Sequence, residues 1–170
     1  MNPGDASDET PSSAVRLFAV VAVVGLVLDQ VTKIAAVRWL EGRDPVEVIP
    51  GLIQLRFLRN PGAALGTGSS MTIVLTVVAI AVSVVVIRMS ARLRDRWWAL
   101  GLGLLLAGAV GNLVDRVVRE PAVLRGHVVD FIDYGPFVGN VADIALTAAA
   151  VIIVWRSWRG VALDGTRDTA

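Results

Sequence analysis

The sequence predicts an all-α membrane protein, a four-transmembrane-helix bundle with a small extracytoplasmic β element between helices 1 and 2. Three observations carry that prediction. Apolar residues make up 55% of the 170, and the mean hydropathy of +0.66 is high for a soluble domain of this length. Four apolar segments, at about 17–37, 71–87, 97–114 and 140–156, approach or reach the length that crosses a hydrocarbon layer. Finally, Asp29, Asn60, Asn112, Asp115, Asp130 and Asp143 all fall where a four-span topology brings them to one side. Lipid rejects such groups, so they should face one another or a cavity.

Residues 1–13 are polar, rich in Pro, Ser and Asp, and read as a disordered cytoplasmic tail ahead of a membrane domain spanning 14–160. The first apolar segment has the look of a leader peptide, because Arg16 precedes a run of twelve residues from Leu17 to Leu28. Asp29-Gln30 then follows without a small-residue cleavage site, which favours a retained helix. Asp29 and Lys33 are four apart and share a helical face.

From Glu41 to Asn60 the composition changes. Gly42, Pro45, Pro50 and Gly51 punctuate two roughly alternating stretches, Val46 to Ile49 and Leu52 to Leu58, which predict a surface β element. Gly62 to Ile87 carries no charge, and the 17 residues from Met71 to Ile87 would extend about 26 Å as a helix.

Four arginines crowd the nine residues from Arg88 to Arg96. The third span, Trp97 to Val114, carries Gly103, Ala107 and Gly111 at four-residue spacing, a stripe that lets a neighbouring helix approach. Trp39, Trp97, Trp98, Trp155 and Trp158 all stand near span ends and read as interface anchors. The fourth span is followed by a polar tail, 161–170. The dense arginine loop places that loop and both termini in the cytoplasm, with the polar cluster near the outer face.

Composition excludes several chemistries. There is no cysteine, hence no disulfide frame, thiol nucleophile or thiolate metal site, and the single His127 argues against a histidine metal centre. No cofactor and no metal is expected. The net charge of +1, without a basic cluster interleaved with aromatics, predicts no nucleic-acid partner.

The chemistry concentrates between Gly126 and Asp143, G-H-V-V-D-F-I-D-Y-G-P-F-V-G-N-V-A-D. Asp130 is wrapped in Val128, Val129, Phe131 and Ile132, and is read as a loop residue. Asp143 follows Asn140 at the spacing of an N-cap and third helical position, where the helix dipole stabilises negative charge by roughly 0.3–1 kcal/mol. Asp133, Tyr134 and His127 read as turn and loop residues. Asn112, Asp115 and Arg116 share one face of the third helix and should meet the start of the fourth inside the bundle. Two acids held close cannot both ionise, so a pair brought together here would share a proton.

D-Q-V-T-K at 29–33, N-P-G-A-A-L-G at 60–66, G-A-V-G-N-L-V-D-R at 108–116, V-V-D-F-I at 128–132 and G-N-V-A-D at 139–143 occur in this order. In these motifs, which run from the first helix to the fourth, the chain resembles the lipoprotein signal peptidases (signal peptidase II). The resemblance implies an aspartic endopeptidase of the bacterial inner membrane. Such an enzyme removes the signal peptide from diacylglyceryl-modified prolipoproteins, cutting just before the lipidated cysteine. It implies Asp130 and Asp143 as the catalytic pair, with Asp29, Lys33, Asn60, Gly62, Asn112, Asp115, Arg116 and Asn140 in binding or supporting roles. Leu65 and Gly139 stand where the family more often has Phe, and both concern apolar lining. The implied partners are lipid-modified prolipoproteins and membrane lipid, with a monomeric enzyme.

Plainer readings stand beside these. Asn140 with Asp143 is also an ordinary helix cap, Asp115-Arg116 a helix-end pair, and Asp29-Lys33 a structural pair whose alternative is support of the substrate backbone. A proton-coupled transporter would need ionisable groups at mid-span in the second, third or fourth helix, and none is there. A non-catalytic scaffold leaves the wrapped Asp130 without a purpose.

Overall fold

The structure is a computed structural model, and it describes residues 13–62 and 69–167. Four helices dominate: α1 (Ser13–Leu40), α2 (Ser69–Ser90), α3 (Arg96–Val118) and α4 (Val141–Trp158). All four are long and apolar enough to cross a membrane. Each extends beyond the apolar core read from the sequence, because the flanking Trp, Arg and Ser residues continue the helical hydrogen bonding. Residues 1–12, the A-A-L-G part of the second motif from residue 63 onward, and with it Leu65, lie outside the described residues.

The bundle is inside out relative to a soluble one. Val20, Val23, Val24, Val27, Leu28, Val31 and Ile34 on α1 are all more than half exposed, as a lipid-facing surface requires. Its buried positions are Ala14, Phe18 and Ala22, then Asp29, Lys33, Ala36 and Leu40. Helix α3 is central, packing on α1, α2 and α4. The small-residue stripe explains the approach: a Cβ on Gly103 would stand 2.9 Å from Phe18 O, and one on Gly25 2.7 Å from Ala107 Cβ.

At the end away from the termini the chain forms an antiparallel sheet of order β1-β2-β3-β4, from β1 (Val46–Ile49), β2 (Ile53–Asn60), β3 (Val128–Asp133) and β4 (Val138–Gly139). The first two strands are the expected β element. The other two come from the α3–α4 connection, so Asp130 lies in a strand and not in a loop. Asp133 also departs from its reading as a turn residue. It ends β3, is buried, and accepts from Gln54 Nε2 at 3.1 Å and Arg56 Nε at 2.9 Å on β2. The β2–β3 register pairs Leu58 with Asp130 and Asn60 with Val128. Asn60 therefore sits two residues along the same strand face as the partner of Asp130. Ala36, Leu40, Val129 and Phe131 form the apolar cluster that seats the sheet on α1.

A second apolar cluster (Ala14, Phe18, Val86, Leu93, Trp98, Ala99 and Leu102) closes the terminal end. The segment after α4 docks there: Val161 bridges Arg167, and Arg94 N–H and Asp95 N–H both donate to Leu163 O. Trp98 differs from an interface anchor, since it is buried and its indole N–H donates to Val161 O at 2.8 Å. Trp39, Trp97 and Trp158 are exposed at span ends as expected.

Candidate active site

Five elements, α1, β2, α3, β3 and the start of α4, bring the polar residues together. Asn140 caps α4: its side chain accepts from Asp143 N–H, and Asp143 Oδ2 accepts from Asn140 N–H at 3.0 Å. This capping box fixes Asp143 at the third helical position. The side-chain amide of Asn140 turns the other way and donates to Asp130 Oδ1 at 2.6 Å. One asparagine thus holds both acids, one by its backbone and one by its side chain. Among the described residues no hydrogen bond joins the two carboxylates directly.

Two further asparagines complete the frame. Asn60 donates to Asp130 Oδ2 at 2.7 Å, and its own Oδ1 accepts from Gly62 N–H at 2.8 Å. Gly62 adopts φ +100°, which favours glycine, while a Cβ there would meet only the movable tip of Leu75, at 2.9 Å. Asn112 donates to Asp143 Oδ1 at 3.1 Å, while its Oδ1 accepts from Asn140 at 3.2 Å and from Lys33 Nζ at 3.0 Å. Each amide is thereby held in one orientation by partners on two sides.

Beneath this layer lies an ionic one. Lys33 is fully buried and pairs with Asp29 Oδ2 and Asp115 Oδ2, each at 2.9 Å. The Asp29–Lys33 pair is therefore more than a helix-surface contact, because it carries a third partner from α3. Asp115 also receives Arg119 Nε at 2.7 Å and Val129 N–H at 3.1 Å. Arg116 donates to Asn112 O at 3.0 Å, and among the described residues its Nε has no partner. It borders an apolar groove of about 210 Å³ with Leu75, Val78, Leu105 and Leu146 between α2, α3 and α4.

Burial is the main influence on Asp130. It pushes the carboxyl pKa up to about 6 from an ordinary 3.8. The Asn60 and Asn140 hydrogen bonds oppose that rise, the Asp143 charge reinforces it, and the Lys33 charge opposes it. A carboxyl raised this far keeps its proton in mildly acidic conditions, where an ordinary carboxyl has lost it. On the other side of Asp143 a cavity of about 380 Å³ is lined by Tyr134, Phe137, Ile144, Thr147 and Ala148.

All ten residues singled out from the sequence lie within this one connected network or on its edge. Sequence reasoning missed Gln30, which donates to Asp29 Oδ2 at 3.0 Å and Gly111 O at 3.1 Å. It missed Arg119, whose i, i+4 spacing from Asp115 was the available signal. It also missed Gly126, where a Cβ would be 2.2 Å from Asp115 O.

Four spans under a small sheet, with two carboxyls joined by one asparagine at their junction, define a polytopic membrane protein built around an acidic pair. The profile described as Signal peptidase (SPase) II matches residues 21–159. The chain belongs to the signal peptidase II family. It is 45% identical to a lipoprotein signal peptidase of Rhodococcus jostii, over 98% of this chain and 87% of that protein. A lipoprotein signal peptidase of Mycolicibacterium smegmatis is 48% identical over 95% of this chain and 70% of its own. A bacterial membrane enzyme solved by the in meso method at 1.9 Å superposes with a TM-score of 0.70, 31% identity, and coverage of 82% of this chain and 91% of that one.

Proposed function

We propose that this protein is an aspartic endopeptidase of the bacterial cytoplasmic membrane that removes the signal peptide from diacylglyceryl-modified prolipoproteins, just before the lipidated cysteine. The observation that carries the reading is the double grip of Asn140 on Asp130 and Asp143. A water molecule between the two carboxyls loses a proton to the ionised Asp143 as its oxygen attacks the scissile carbonyl carbon. Asp130, holding its proton, donates to the carbonyl oxygen as negative charge develops there. Collapse of the tetrahedral intermediate breaks the C–N bond, the proton gained by Asp143 passes to the leaving nitrogen, and Asp130 recovers its proton from the oxygen as the carbonyl re-forms. The pair ends with one proton, as it began.

Arg116, with its Nε unpartnered among the described residues, is suited to a substrate carbonyl at the head of the α2–α3–α4 groove. Asn60, Gly62, Asn112 and Asn140 orient the acids. The apolar cavities beside Asp143 and Arg116 suit the acyl chains and the signal-peptide core of a substrate arriving through lipid. Arginine density supports cytoplasmic termini and a site near the extracytoplasmic face. The enzyme acts as a monomer in this reading.

The test uses purified protein in detergent with a lipidated prolipoprotein. Wild type cleaves; Asp130→Asn and Asp143→Asn each lose about 10²–10⁴-fold in kcat, the range for a removed acid or base. Cleavage surviving either substitution overturns the pair. Failure of wild type to cleave overturns the function. Single-cysteine labelling in the α2–α3 connection from either side of sealed vesicles reads the orientation.

A further inference from the structure

The ionic layer has an arrangement that charge pairing alone does not require. Asp29 on α1 uses Oδ2 for Lys33 and Oδ1 for the backbone N–H of Ala142, at 2.9 Å. Ala142 is the residue before Asp143. Asp115 on α3 uses Oδ2 for both Lys33 and the backbone N–H of Val129, at 3.1 Å. Val129 is the residue before Asp130. The chain of contacts Ala142–Asp29–Lys33–Asp115–Val129 therefore runs from the backbone beside one acid to the backbone beside the other. We propose that Lys33 is a positioning residue that sets the spacing of Asp130 and Asp143 by clamping Asp29 and Asp115, each of which holds the amide next to one of the acids.

Three features make this a clamp and not a binding site. Lys33 is fully buried, and its three N–H bonds are taken by Asp29, Asp115 and Asn112, so none is left for a substrate carbonyl. Asn112, held by Lys33, in turn donates to Asp143 Oδ1, which gives the lysine a second route to the same acid. Gly111 leaves space for the Asp29 carboxylate: a Cβ there would stand 2.5 Å from Asp29 Oδ2.

The inference rests on the reading of Asp130 and Asp143 as the reacting pair, and the experiment separates the two. Lys33→Met leaves two buried carboxylates facing each other and is prone to misfold, so the decisive variant is the double Lys33→Met/Asp29→Asn, which removes one charge of each sign. In detergent with a lipidated prolipoprotein, the double variant is expected to lose about 10²-fold in kcat with KM nearly unchanged, as for reacting groups displaced by about 1 Å. Amide exchange at Val129 and Ala142 is expected to rise at least about ten-fold while the terminal-end cluster keeps its protection.

The alkaline limb of the pH profile reads the same change electrostatically. Asp130 is faced by Lys33 from α1, Asn60 from β2, Arg116 from α3, and Asn140 and Asp143 from the start of α4. Removing the Lys33 charge moves that limb to higher pH, which a purely structural loss would not. If the double variant fails to fold, Asp29→Asn against Asp29→Ala decides: the asparagine keeps an acceptor for Ala142 N–H and should retain at least about ten times the kcat of the alanine. Wild-type kcat with unchanged exchange in the double variant, or equal kcat in that pair, overturns the clamp. Should Asp130→Asn or Asp143→Asn remain active, the pair itself fails whatever the clamp variants do.

Discussion

Asn140 donates its side-chain amide to Asp130 Oδ1 at 2.6 Å while its backbone N–H holds the carboxylate of Asp143. The bond to Asp130 stabilises the ionised form, so its loss must raise the pKa of that acid above its present value of about 6. Asn140→Ala is expected to lower kcat about 10²-fold and move the alkaline limb of the pH–rate profile upward. The same change removes a helix cap worth about 1 kcal/mol. An alkaline limb that stays in place would show that Asn140 does not act on the protonation of Asp130.

The raised pKa of Asp130 also has a stability consequence, with a definite sign. Its folded-state value, about 6, exceeds the ordinary 3.8. The folded protein therefore favours the protonated form; that contribution is complete below about pH 4 and is lost as the pH rises through about 6. An asparagine cannot ionise, so Asp130→Asn should be more stable than wild type at pH 7.5, by up to about 3 kcal/mol, and equal to it near pH 3.5. Thermal unfolding in detergent at the two pH values measures the difference. A variant less stable than wild type at pH 7.5 contradicts the assignment of Asp130 as the strained acid.

The four helices and the polar motifs were legible because each depends on short-range spacing. Asn140 and Asp143 read as a cap and third position from three residues of separation, and the capping box is there. Gly103, Ala107 and Gly111 read as a packing stripe from their period, and α1 lies against them. Strand β3 was not legible. V-V-D-F-I-D does not alternate, because five of its six residues are buried once β2 and α1 cover it. Its strand character comes from pairing with residues about seventy positions away, and nothing local signals that partner. The same holds for Asp29 and Ala142, whose contact joins residues 113 apart. Local sequence showed an i, i+4 ion pair; only the fold gives Lys33 its second carboxylate.

Gly126 is the point at which the α3–α4 connection turns back onto α3. Its N–H donates to Arg116 O at 3.0 Å, and a Cβ would meet Asp115 O at 2.2 Å and Arg119 O at 2.7 Å. These are backbone atoms of a helix end and cannot swing aside. Gly126→Ala is expected to push β3 away from α3, destabilise by about 3 kcal/mol or more, and abolish cleavage. Thermal unfolding measures the first effect and the lipoprotein assay the second. An alanine variant with wild-type melting and activity would show that this close approach is dispensable.

Gly139 bears on the placement of Asp143. A Cβ at this position would stand 3.0 Å from Asp143 Oδ2 and 3.4 Å from the Phe137 ring, at the edge of the cavity beside Asp143. The ring distance is ordinary van der Waals contact, so the carboxylate is the group an added methyl must displace. Gly139→Ala is expected to lower kcat about ten-fold, with a smaller effect on KM. Steady-state kinetics on substrates differing in acyl length separates the two. A variant with raised KM and unchanged kcat would place the disturbance on the cavity and not on Asp143.

Asp95, at the opposite end of the bundle, provides the contrast. It caps α3 by accepting from Trp98 N–H at 2.9 Å, pairs with Arg156 at 2.5 Å, and its N–H donates to Leu163 O. One residue thus ties α3 to α4 and to the segment after α4. The cap contributes about 1 kcal/mol, and the half-buried ion pair leaves Arg156 without its partner when broken. Asp95→Ala should therefore destabilise by about 2–3 kcal/mol. None of its partners touches Asp130, Asp143 or the asparagines around them, so kcat below the melting transition should remain within about two-fold of wild type. Thermal unfolding and single-turnover cleavage on one preparation test both halves. A large loss of kcat at a temperature where the variant is folded would mean that the packing of α3 transmits strain along its length to Asn112, and that the two ends of the bundle are not independent.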